Sequence, residues 1–207
     1  MSTKLTRRFA RSVRATALGA AAVAALAVHA QPAAAERSPR VPLTVEVTEL
    51  ARVPADVMRD AKAEVDDAFL AAGVRIVWAR PAEATRQGIR RLRLFVVRTS
   101  PTAPRSRSKS RSDVLGLSPT SGDWAYVFYD RVAEAVARSR GSISVVLAHV
   151  MSHELGHLLL PPESHAPLGI MRPTVDPDHG TWCRFTGHQA RFIRAAVTSG
   201  ASPRTWP

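Results

Sequence analysis

Cysteine is almost missing from this chain: Cys183 is the single thiol in 207 residues. One cysteine cannot close an internal disulfide, so a disulfide-framed miniprotein is excluded, and a hydrophobic core or a bound metal must hold the fold together. Cys183 reads best as a small buried apolar residue; a free thiol and an intermolecular bridge are the alternatives. Aromatic side chains are scarce too, at 6%. None falls within the most basic run, which removes the stacking platform that single-stranded nucleic acid requires. Acidic residues are outnumbered, 17 against 29 Lys plus Arg, for a formal net charge of +12. A membrane-length apolar run is lacking as well. The longest candidate, Ala15 to Val28, is Ala-rich and shorter than the roughly 20 residues a spanning helix needs.

That short apolar run has informative surroundings. Lys4, Arg7, Arg8, Arg11 and Arg14 form a basic head before it, and two small-x-small sites follow, Val28-His29-Ala30 and Ala33-Ala34-Ala35. This is the layout of a secretory signal over residues 1–35, cut after Ala30 or Ala35, and it predicts a secreted or extracytoplasmic protein with no membrane span once the signal is removed. An uncleaved anchor is the other reading. Removing the segment leaves 24 basic against 17 acidic residues, a net charge of +7. Much of that excess lies in "RTSPTAPRSRSKSRSD" (98–113), with Arg105, Arg107, Lys109 and Arg111. Serine, proline and like charges cannot bury a core, so the run is expected to be a solvated loop, with a weak polyanion contact as its functional alternative.

From residue 43 onward the pattern becomes that of a folded domain. "LTVEVTEL" alternates apolar and polar residues and predicts a strand; "VRIVWA" (74–79), "RLRLFVV" (91–97) and "DWAYVFYD" (123–130) predict three more. Between the first two, Val57, Ala61, Val65, Ala68, Phe69 and Ala72 recur at helical spacing, with Gly73 as the stop. "DVLGLSP" (113–119) fits a short edge strand, because its Gly116 and Pro119 would not suit a central one. A short helix is expected near 131–139. A long, mostly buried one follows through Ile143, Val146, Leu147, Val150, Leu155, Leu158 and Leu159, halted by Pro161. Thr186-x-x-Gln189 is a capping box that opens a last helix, closed by Gly200. The expected fold class is α+β: a small twisted mixed sheet with a backing helix and a long helix carrying the chemistry. Residues 36–207 form one domain, 36–160 holding the sheet and long helix and 161–207 a short C-terminal subdomain, expected to be a monomer.

Four of the seven histidines fall within "HVMSHELGHLLLPPESHAPLGIMRP" (149–173). His153 and His157 are four apart, so on a helix they stack on one face and both imidazoles can reach one ion. Glu154 is turned about 100° from His153, which lets its carboxylate reach a water at the ion without serving as a ligand. Two neutral nitrogen donors, an open site and a base beside it are what metal-assisted hydrolysis requires. Histidines merely satisfied by hydrogen bonds on a helix face are the bland reading. A catalytic zinc needs a third ligand. His165, past the Pro161-Pro162 break, is favoured on ligand chemistry over Glu163. His149 and His157 would sit about 12 Å apart on one straight helix, so His149 is assigned to the surroundings of the site or to the core. His179 and His188 are expected at the surface.

"HELGHLLLPPESHAPLGIM" resembles the zinc signature of the metzincin metallopeptidases, H-E-x-x-H-x-x-G-x-x-H followed by a methionine turn. The resemblance implies a zincin-like fold, with Zn2+ held by His153, His157 and His165. It implies Glu154 as general base, Met171 as the turn methionine beneath the metal, and an edge strand running along the substrate cleft. Leu160 stands where the family has glycine, the third histidine lies two residues later, and Glu163 occupies the family's third-ligand position. The activity implied is that of a secreted zinc endopeptidase acting on a peptide or protein, with Val114–Leu117 pairing to the substrate and Trp182 near the pocket. Two other classes remain open at this level: a secreted binding module in which zinc only closes the 157–165 loop, and a basic polyanion-binding protein.

Overall fold

Apolar residues alternate along the strands and recur at helical spacing between them, and the computed structural model of the chain follows that pattern. It describes residues 40–80, 89–99, 114–119, 122–178 and 184–200. The proposed signal segment 1–35, Arg105, Arg107, Lys109, Arg111, His179, Trp182 and Cys183 lie outside the described residues. In chain order the elements are β1 (Val41–Glu49), α1 (Ala55–Ala71), β2 (Val74–Ala79), β3 (Arg91–Val97), β4 (Gly116–Leu117), β5 (Trp124–Phe128), α2 (Tyr129–Ala137), α3 (Ile143–Leu159) and α4 (Gly187–Ser199). Among the described residues this is an α+β fold with a five-stranded mixed sheet and four helices, none of them long and apolar enough to cross a membrane.

The sheet order is β2-β1-β3-β5-β4. The first four of these run parallel, with Val45 opposite both Trp78 and Leu92, and Leu94 opposite Ala125. Parallel neighbours require a crossover, and α1 supplies the one between β1 and β2. β4 pairs antiparallel with β5, Gly116 against Val127, and so forms an edge. Two residues long and carrying a glycine, it is the short edge expected from the sequence. Side chains alternate as the two-residue period demands: Leu92, Leu94 and Val96 are buried while Arg93 is exposed.

Helix α1 buries Ala61, Val65, Ala68 and Phe69. It ends where Gly73 adopts φ +82, a conformation that costs an L side chain strain, and where the Gly73 N–H donates to the Leu70 carbonyl. Helix α3 is apolar around most of its circumference and buries Leu147, Met151, Leu155 and Leu159 among others. A helix of that kind belongs in a core, so polar groups on it start from a dry environment. The tail docks back onto this core: Phe185 meets Phe69 edge-to-face, centroids 5.0 Å apart, a contact worth about 1 kcal/mol beyond its area. Arg90 fastens three elements together. Its guanidinium is only 4% exposed and donates to the carbonyls of Leu158 and Ala196 and to the Asp123 carboxylate.

Candidate metal centre

The site starts from two residues on α3. His153 and His157 lie four apart, and their Nε2 atoms come within 3.0 Å of each other. The Nδ1 of His153 is 2.8 Å from the carbonyl oxygen of Ile170. A carbonyl can only accept, so the proton sits on Nδ1 and the lone pair of Nε2 faces His157. Burial, first, holds the His153 pKa below its ordinary value; the bond to Ile170 works the other way. His157 is lowered to about 4, by burial and then by its neighbours His153 and His165. Both imidazoles are therefore neutral donors at physiological pH.

His165 arrives from the loop beyond Pro161 and Pro162. Its ring centroid lies 5.3 Å from that of His153 and 4.8 Å from that of His157. One nitrogen from each of the three rings falls within 4.8 Å of the others, and among the described residues this is the group that could hold a metal ion. Glu163 is exposed, has φ +61 and contributes to the cleft wall, but does not join that group. His149 lies one turn up the helix, its ring stacked 6.4 Å from that of His153, with Nε2 buried and without a partner. Its pKa is lowered to about 4, chiefly by burial. His188 is exposed, against the edge of Phe192.

The α3 pair has the spacing of a tetrahedral metal's ligands, and the ring of His165, within 4.8 Å of them, would close in on a bound ion. Two nitrogens each about 2.0–2.1 Å from one ion stand roughly 3.3 Å apart, close to the 3.0 Å observed between the Nε2 atoms of His153 and His157. Three imidazoles would leave one vertex of a tetrahedron uncommitted.

Glu154 is next to the triad and 6% exposed. Desolvation raises its pKa to about 7, and the hydrogen bond from Ser118 Oγ to Oε2 partly offsets this. The edge strand crosses directly over it: a Cβ on Gly116 would lie 2.5 Å from Glu154 Oε1. No larger residue fits at that point unless the carboxylate moves. Met171 is fully buried and packs against Gly156, where a Cβ would come within 2.6 Å of its Sδ. The turn that carries Met171 is pinned at both sides by Ala166 N–H to Met171 O (2.8 Å) and Ile170 N–H to Arg184 O (3.2 Å).

All of this opens into a cleft of about 950 Å³. It is lined by the edge strand 114–118, by α2 and by segments 161–165 and 172–177. Sequence reasoning brings together the triad, Glu154 and the edge strand. It misses Ser118, Arg90 and the Ile170 carbonyl. Of these, only the serine beside an expected edge strand left a local signal. A scan against protein-family models and a search of curated proteins both find no match to the chain.

Proposed function

We propose that the chain is a zinc-dependent peptidase of metzincin-like architecture, with His153, His157 and His165 as ligands and Glu154 as general base. The observation that carries this reading is the convergence of three imidazole nitrogens within 4.8 Å beside a buried carboxylate in an open cleft. The element order, and an edge strand lying along that cleft, agree with it. Zinc suits a three-imidazole set with one free position; when bound there it makes water acidic and polarises a carbonyl. A purely structural ion would need a fourth protein ligand, and the group of converging side chains holds three.

The chain's own part is positioning and proton transfer. Ser118 holds Glu154 Oε2 and leaves Oε1 to take a proton from the attacking water. With a pKa of about 7, the carboxyl can both accept that proton and return it to the departing amine near neutrality. An extended peptide adds to the free edge of β4, where Leu117 is half exposed, and main-chain hydrogen bonds align its amide with the centre. The test is the Glu154→Ala variant. It should keep one zinc per chain by elemental analysis and lose chelator-sensitive cleavage of casein; an unchanged rate refutes the reading.

A further inference from the structure

The cleft is lined by the loop Pro161–His165, by α2, by the second turn of α3 and by the segment that follows Met171. That segment folds back over the α2–α3 corner: Arg140 N–H donates to Asp178 Oδ1 at 2.7 Å, and the Pro177 carbonyl presses on Gly141. Ala135, Val150 and Val175, all apolar, therefore line one lobe of the cleft together with the side chains of Arg138, Glu134 and Arg172.

The charges in this lobe do not cancel. Arg138 and Glu134 form an exposed ion pair at 2.7 Å and neutralise each other. Arg131, further along α2, donates to the Val114 carbonyl and lies over the Phe128 ring. Arg172 is half-buried and has no acidic partner among the described residues. Its backbone is fixed, because Met171 before it is fully buried and its own N–H donates to Gly169 O at 3.2 Å. Arg172 lines the cleft together with Val150 of α3 and with Val175 and Pro177 of its own segment. A half-buried cation without a counter-charge, set among apolar walls one residue from the metal-site turn, is a receptor for an anionic group carried on a short apolar stem.

We propose that this lobe selects substrates bearing a carboxylate close to the scissile amide, bound by the guanidinium of Arg172, with Ala135, Val150 and Val175 contacting the methylenes. The proposal rests on the peptidase reading of the cleft and adds its substrate class. A carboxylate can come from a Glu or Asp side chain or from a peptide's C-terminus, and the two sources are separable.

The experiment uses the zinc-loaded Glu154→Gln protein, in which bound peptide persists, and fluorescence anisotropy with labelled degenerate peptide pools. Three pools carry an amidated C-terminus and a central Glu, Gln or Lys; a fourth carries the central Gln and a free C-terminus. The Glu pool should bind at least roughly tenfold more tightly than the Gln pool, and the Lys pool more weakly still. Adding Arg172→Gln should erase the difference, Arg172→Lys should keep part of it, and Arg138→Gln should leave it intact. A tightening confined to the free-acid pool, with the same dependence on Arg172, assigns the carboxylate to the chain end. Equal binding of the acidic and neutral pools, or a preference that survives Arg172→Gln, overturns the proposal. Retained preference without zinc-dependent cleavage of any pool by the unsubstituted protein would sink the peptidase reading instead.

Discussion

Replacing Gly156 by alanine sets two effects against each other at the centre of the site. An alanine inside a helix is favoured over glycine by about 1 kcal/mol. Here the added Cβ would lie 2.6 Å from Met171 Sδ and 3.1 Å from Phe185 Cε1. Met171 is 0% and Phe185 7% exposed, so neither can swing into solvent, and overpacking of this kind costs about 1–3 kcal/mol. The net expectation lies between no change and about 2 kcal/mol of destabilisation, read by urea unfolding of the zinc-free protein. A second consequence follows from chain connectivity. The carbonyl next to Met171, that of Ile170, holds His153 Nδ1 at 2.8 Å. Displacing the methionine pulls on that bond, and losing such support to a ligand weakens metal binding about 10–100-fold, measurable by competition with a chromophoric chelator. In a Met171→Ala background the nearer obstacle is gone and the Phe185 ring gains room to shift, so Gly156→Ala should be less destabilising than in the parent, by about 1 kcal/mol or more. If Gly156→Ala alone gains the full helix-propensity stabilisation with zinc affinity unchanged, the packing argument for Met171 fails.

Three further outcomes are expected. His157 has its pKa lowered to about 4 and His153 is shifted the same way. The stability that neutral imidazoles contribute is thus present above their ordinary pKa of 6.5 and lost as pH falls through about 4. Zinc should accordingly be retained at pH 6 and released nearer pH 4, as followed with a zinc-responsive dye; complete release by pH 6 contradicts the assignment. Ser118→Ala removes the one hydroxyl that fixes the Glu154 carboxylate and favours its ionised form, so kcat on a peptide substrate should fall about tenfold. KM should stay nearly constant, and the acid limb of the pH profile should move upward; a change in KM alone contradicts a positioning role. Gln189→Glu keeps the acceptor for Thr186 N–H but replaces the donor to Ser164 O. Zinc affinity should fall about tenfold while α4 keeps its helicity by circular dichroism; equal affinity argues against a role for α4 in placing His165.

Local chemistry explains what was legible in the sequence. The spacing of His153 and His157, the stop at Pro161, the capping box at Thr186 and Gln189 and the alternation in β3 each depend on residues within a turn or two. All four features recur in the structure, the capping box with both of its hydrogen bonds. Gly116 and Pro119 marked β4 as an edge because neither suits a central strand. What escaped notice depends on sheet order. Ser118 and Glu154 meet because β4 pairs outside β5 and α3 passes beneath, a juxtaposition of residues 36 apart in the chain. Arg90 escaped for a different reason. A charged residue is read as a surface residue unless its partners are known, and the Arg90 partners are two helix carbonyls and an aspartate from distant segments. The choice between His165 and Glu163 was open on spacing alone, since a loop past two prolines can present either.

That loop shows how an exposed imidazole can still be held in place. Pro161 and Pro162 end the helix, and Glu163 at φ +61 reverses the chain direction. The two residues that flank His165 are then tied to different elements: Ser164 O accepts from Gln189 Nε2 of α4, and Ala166 N–H donates to Met171 O. With both neighbours fixed, His165 needs no burial of its own to aim at the other two rings. The same Gln189 closes the capping box of α4 through Thr186. The same methionine turn orients His153 through the Ile170 carbonyl. The imidazoles on the helix and the imidazole on the loop therefore share one support, the tail segments 169–171 and 184–189. A helix with H-E-x-x-H spacing brings only two nitrogens, and it is this tail that makes the third converge, so metal affinity should follow the integrity of the tail as closely as that of α3.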